Sequence, residues 1–147
     1  MVQDADVETM RSLIAYTRAR ALENRTFTGA FIVRNGSVVG RGVATIEPDR
    51  NPLAHAELKA LQGAVADYGP ELVGYSLYTT QQPCPMCASA AAWSGITKVV
   101  YGVPSSRQWK TFGHIHAFFD DLNIECVGPV LENECREIDE YLIANGI

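Results

Sequence analysis

Apolar residues recur at helical spacing at Val7, Met10, Leu13, Ile14 and Ala21, which predicts a first helix over 7–23. Asp6 can cap its start, and Asn24 stands near its end. Two β-rich runs, Ala30–Arg34 and Ser37–Val39, flank Asn35-Gly36. A tight type I′ turn needs positive φ at both central residues, which Asn-Gly accepts, so a hairpin is predicted. The turn-rich stretch 44–52 reads as a loop. Ala54, Leu58, Leu61 and Val65 then mark one stripe of a second helix, ending near Tyr68. Tyr75–Thr80 is strand-like, and Pro85 suits the first turn of a third helix that stops at Gly95. A strand over Lys98–Tyr101 follows. Residues 104–113 are weakly patterned. A short helix over Ile115–Leu122, a strand over Ile124–Val127 and a last helix marked by Leu131, Cys135, Ile138 and Leu142 complete the chain, with Gly146 beyond.

The order is therefore α-β-β-α-β-α-β-α-β-α. One hairpin followed by strands alternating with helices predicts an α/β fold with a mixed sheet and helices on both faces. Each later strand is joined to the next by a crossover helix, so these strands should be parallel. At 147 residues, one domain over 1–147 is expected. Apolar residues make up 47% and charged ones 20%, which excludes a disordered chain. No apolar run approaches the ~18 residues of a membrane span, and the acidic, polar start is unlike a signal peptide. A cytoplasmic protein is expected.

Charge narrows the partners. The net charge is −5. Residues 120–147 hold eight acids and one base, Arg136. Such a tail repels phosphates, so neither nucleic acid nor an anionic membrane is an expected partner.

Two fragments carry chemistry: His55-Ala56-Glu57 at the start of the second helix and Pro83-Cys84-Pro85-Met86-Cys87 at the start of the third. One imidazole and two thiolates are ligands that zinc prefers, and three protein ligands leave a fourth position open for catalysis. A helix N-terminus favours thiolates, which helps a metal bind at neutral pH. Zinc lowers the pKa of a water it holds toward ~7, and a carboxylate such as Glu57 can move that proton. Residues two apart on a helix point to opposite sides, so His55 and Glu57 serve one metal only if the helix end faces it. A redox reading of Cys84 and Cys87 is the bland rival, weakened by the upstream His-x-Glu. Cys126 and Cys135 suit core packing, and His114 and His116 suit the surface.

His-x-Glu with a distant Pro-Cys-x-x-Cys is a known zinc-deaminase signature. The chain resembles the cytidine deaminase-like superfamily, most of all its guanine deaminase and tRNA adenosine deaminase branch. The resemblance runs through Asn51–Leu58, Leu77–Cys87 and Val99–Gly102, and more weakly through Gly29–Val33 and the tail. It implies a three-layer αβα sandwich with a five-stranded sheet, zinc on His55, Cys84 and Cys87, and Glu57 as the proton shuttle. Water would add to an amine-bearing ring carbon and ammonia would leave. It also implies a homodimer. Trp93 falls where guanine deaminase-like members pack a Trp on the base, and Asp120 or Asp121 resembles their acidic substrate contact. Ala56, Phe27 and Ala44 are further expected substrate contacts. Three positions depart from the pattern: Ala44 stands where an Asn often binds the base, Gln82 replaces a common Glu, and Phe27-Thr28-Gly29-Ala30 alters the approach to the first strand. Gly128–Cys135 is more like the tRNA enzymes. The expected function is zinc-dependent hydrolytic deamination of a free nucleobase or base-like amino-heterocycle, such as guanine or cytosine. The alternatives are a tRNA-specific adenosine deaminase and a zinc-bound, non-catalytic base-binding protein.

Overall fold

The computed structural model describes residues 1–105 and 115–147. The elements are α1 (Asp4–Asn24), β1 (Gly29–Arg34), β2 (Ser37–Val43), α2 (Ile46–Asp49), α3 (Ala56–Tyr68), β3 (Ser76–Gln81), α4 (Pro85–Trp93), β4 (Lys98–Val103), α5 (Ile115–Asp121), β5 (Glu125–Val127) and α6 (Glu132–Ala144). The five strands lie in the order β2-β1-β3-β4-β5. β1 is antiparallel to both neighbours, whereas β3, β4 and β5 run parallel. The mixed sheet and its parallel half are as the element order predicts.

Alternation along the strands builds the two faces. Ala30, Ile32, Leu77 and Val99 point to a core shared with Ala60 and Ala64 of α3 and Ala88 and Ala91 of α4. Phe31, Val33, Tyr78 and Val100 point the other way, onto Met10 and Leu13 of α1 and Cys135 of α6. The result is a three-layer αβα sandwich.

Three expectations change. α1 starts at Asp4 with Gln3 as its N-cap, so Asp6 sits in the first turn, where its Oδ2 accepts the Gln3 N–H at 2.9 Å. The expected loop 44–52 contains the short helix α2. In α3 the face against the sheet is Ala56, Ala60 and Ala64, while Leu58 and Val65 are only half-buried. Glycine in β2 explains the rotation. A Cβ on Gly40 would meet the Ala60 carbonyl, and one on Gly42 would lie 2.7 Å from the Ala56 carbonyl. Bare strand backbone lets the alanine face seat close to the sheet, and the larger side chains turn sideways.

Candidate metal centre and active site

His55 and Cys84 are the N-caps of α3 and α4, both with extended backbones (φ −81°, ψ 148° and φ −72°, ψ 168°). Cys87 lies in the first turn of α4. Two helix N-termini therefore converge on one point at the C-terminal end of β3. The opposite-sides difficulty disappears, because His55 precedes the helix and Glu57 is its second residue.

The donors lie close together. His55 Nδ1 is 3.7 Å from Cys84 Sγ and 3.4 Å from Cys87 Sγ, and all three donor atoms lie within 4.8 Å of one another. Zinc bonds of ~2.0 Å to nitrogen and ~2.3 Å to sulfur at tetrahedral angles put such atoms ~3.5 Å apart. The set fits zinc. Among the described residues it is the sole such cluster of His, Cys, Asp or Glu.

Protonation follows the geometry. The Cys87 thiol donates to Cys84, and the backbone N–H groups of Cys87 and Met86 and the His55 ring add to this, so the Cys84 thiol is lowered to about 5. Cys87 moves the opposite way, because its proton is shared with Cys84 and it is buried beside Glu57. Glu57 is 3% exposed, and burial raises its carboxyl above the usual carboxylate range. Its Oε2 lies 3.9 Å from His55 Nδ1.

Thr79, wholly buried on β3, completes the arrangement. Its hydroxyl has one proton and two acceptors in reach, the Gln81 carbonyl at 2.7 Å and Glu57 Oε1 at 3.1 Å. As a donor to Glu57 Oε1, Thr79 favours the carboxylate form and opposes part of the effect of burial. The Thr-Thr-Gln-Gln run closing an apolar strand was the signal for Thr79, and sequence reasoning missed it.

A cleft of about 400 Å³ opens over this corner. Of the expected substrate contacts, Phe27, Ala44 and Ala56 line it together with His55, Glu57 and Cys84. Arg25, Ile46, Gln81 and Ser105 line it too and were not foreseen, whereas Gln82 was noted only as a departure from the pattern. Trp93 is not brought to the cleft of its own chain. It ends α4, six residues beyond Cys87 and so ~9 Å further along the helix axis, and is 95% exposed. Asp120 and Asp121 are exposed on α5, outside the lining. His114 lies outside the described residues. His116, expected at the surface, is half-buried, with Nε2 2.8 Å from the Tyr101 hydroxyl. Cys135 is buried, and Cys126 packs half-buried against the core, as expected.

Known proteins agree with this corner. Residues 4–103 match the cytidine and deoxycytidylate deaminase zinc-binding region. A tRNA-specific adenosine deaminase of Buchnera aphidicola subsp. Baizongia pistaciae is 30% identical over 141 residues, covering 93% of this chain and 87% of that one. The tRNA-specific adenosine deaminase of Bacillus subtilis is 34% identical over 119 residues, covering 73% and 69%. The solved guanine deaminase of Nitrosomonas europaea superposes with a TM-score of 0.81 at 20% identity, covering 97% of this chain and 86% of that one, a likeness of fold. No helix among the described residues is long and apolar enough to cross a membrane. With the donor set, the carboxyl beside it and the match over 4–103 in agreement, the chain belongs to the cytidine and deoxycytidylate deaminase zinc-binding family.

Proposed function

We propose that this chain hydrolyses the exocyclic amine of a nucleobase, releasing ammonia. The carrying observation is the buried Glu57 carboxyl set against the His55, Cys84 and Cys87 donor set, 3.9 Å from His55 Nδ1. Zinc, when bound there, supplies a Lewis acid that activates water at neutral pH. Glu57 takes the water's proton and delivers it to the leaving amine. Burial raises its pKa, the direction that favours handing the proton on to the amine. Thr79 orients the carboxyl, and the apolar walls of Phe27, Ala44 and Ile46 flank a flat ring.

The names of the two relatives support adenosine in tRNA as the substrate, ahead of the free base expected from the sequence. A free base such as guanine or cytosine remains a second reading on one observation. α6 carries five acids, and its single base, Arg136, is ion-paired to Glu132 at 2.7 Å, so this face offers RNA no spare cation. A homodimer is supported by the exposed Trp93 and by an apolar groove along Leu58, Leu61, Val65 and Ala90. Light scattering at micromolar concentration reads it directly.

Ammonia release from bases, nucleosides and tRNA tests the activity. Turnover is expected on at least one class. In Glu57→Ala it should fall about 10²–10⁴-fold with one zinc per chain retained. Zinc-loaded protein that binds bases but frees no ammonia is instead a binding protein. Loss of zinc along with activity in Glu57→Ala would make Glu57 part of the metal's support.

A further inference from the structure

We infer that Gln82 is a specificity-determining residue that reads a hydrogen-bond acceptor on the substrate ring; the inference rests on the cleft being a nucleobase site. Gln82 follows β3 directly and stands two residues before Cys84. It is held from two sides. Its backbone N–H donates to the Val103 carbonyl at 2.8 Å, and its Oε1 accepts the Ser105 N–H at 2.9 Å. A backbone N–H only donates, so this contact decides which end of the carboxamide is oxygen. The oxygen is thereby occupied, and among the described residues no protein group accepts from the Gln82 Nε2. The side chain is half-buried and lines the cleft with His55 and Glu57.

What Gln82 offers the cleft is therefore a donor, on a side chain pinned at its far end. Phe27, Ala44 and Ile46 contribute apolar surface and cannot read a polar ring edge. Gln81 is a weaker reader. Its Oε1 meets the Thr28 hydroxyl at 3.3 Å, and a hydroxyl can donate or accept, so its orientation is not forced in the same way. A ring nitrogen acceptor of the base, N3 or N7 in a purine, is the complementary partner of Gln82. A carboxylate at this position would keep the Ser105 contact but turn an acceptor toward the ring, reversing the preference.

The test measures equilibrium binding to the zinc-loaded full chain. The probes are adenine, guanine and adenosine, their 3-deaza and 7-deaza analogues, and an RNA stem-loop carrying adenosine or either analogue in its loop. Each analogue lacks one ring acceptor. At least one parent is expected to bind about tenfold more tightly than one of its analogues, the scale of one hydrogen bond. Gln82→Met should erase that difference with zinc content unchanged, and Gln82→Glu, which keeps the Ser105 contact if the Met variant fails to fold, should weaken the parent to its analogue's level or below. Parents and analogues bound alike by the wild type, a preference that survives both substitutions, or no binding by any probe would overturn the role of Gln82. Absence of ammonia from parents that do bind counts against the deaminase activity alone.

Discussion

Two polar clusters lie buried on opposite faces of the sheet, and they are balanced differently. On the α1 side, Asp6 is 1% exposed, and its Oδ1 accepts from Lys98 Nζ at 2.9 Å and from the Tyr78 hydroxyl at 2.8 Å, while Oδ2 takes the Gln3 N–H. Burial pushes the Asp6 carboxyl up, but these partners outweigh it and hold the pKa below its ordinary value. On the α3–α4 side, Glu57 sits with two thiols and an imidazole. Among the described residues no Lys or Arg forms an ion pair with that group, and its carboxyl is pushed up. The first cluster carries its own cation and ties α1 to β3 and β4. The second gathers metal-ligating donors without one. An unmatched buried donor set is costly unless something positive binds it, and this marks a metal site more sharply than the residue types alone.

Breaking the second cluster should have the larger effect. Cys84→Ser removes a soft ligand, so zinc should be lost on dialysis and the zinc-dependent part of the stability with it, several kcal/mol because metal affinity is coupled to folding. Thermal melts with and without chelator should coincide in the variant and separate in the wild type. A chelator shift that survives Cys84→Ser would remove this residue from the ligand set.

The first cluster should respond to pH instead. Asp6→Asn leaves Lys98 without its charge partner and should cost about 2 kcal/mol at pH 7, the scale of hydrogen bonds to a charged group. A lowered folded pKa gives stability that is present above the unfolded value of ~3.9 and lost as pH falls through the folded one. Wild type and variant should thus converge in acid, as read by urea melts across pH 2–7. A constant gap at every pH would mean that shape, not charge, made the difference.

The smallest change expected is Gly40→Ala. Its new Cβ would meet the Ala60 carbonyl and lift α3 from β2, costing roughly 1–2 kcal/mol as overpacking does. Because His55 and Glu57 start α3, turnover and zinc affinity should weaken as well, while the distant Asp6 cluster keeps its pH response. An unchanged zinc affinity would show that the corner tolerates movement of its helix.

Much of this fold was legible because its signals are local. The Asn35-Gly36 turn, Pro85 at a helix start and the alternating order of elements need only neighbours along the chain. The α3 stripe misled because periodicity ranks residues by hydrophobicity, whereas contact with a glycine-bearing strand selects small ones. A matching position along a helix says nothing of which way that helix carries Trp93, which lies away from the cleft of its own chain. Thr79 was hidden inside a strand that reads as apolar.

By itself the sequence determined the ligand types, their spacing and the αβα order, since zinc chemistry and helix starts are written in adjacent residues. Only the tertiary structure decided that His55 stands outside its helix and that Glu57 is buried with its pKa raised. It alone decided that Ser105 orients Gln82 and that Trp93 lies away from the cleft of its own chain. Those properties depend on distance, burial and the direction of a side chain, and they arise where segments far apart in the chain are brought into contact.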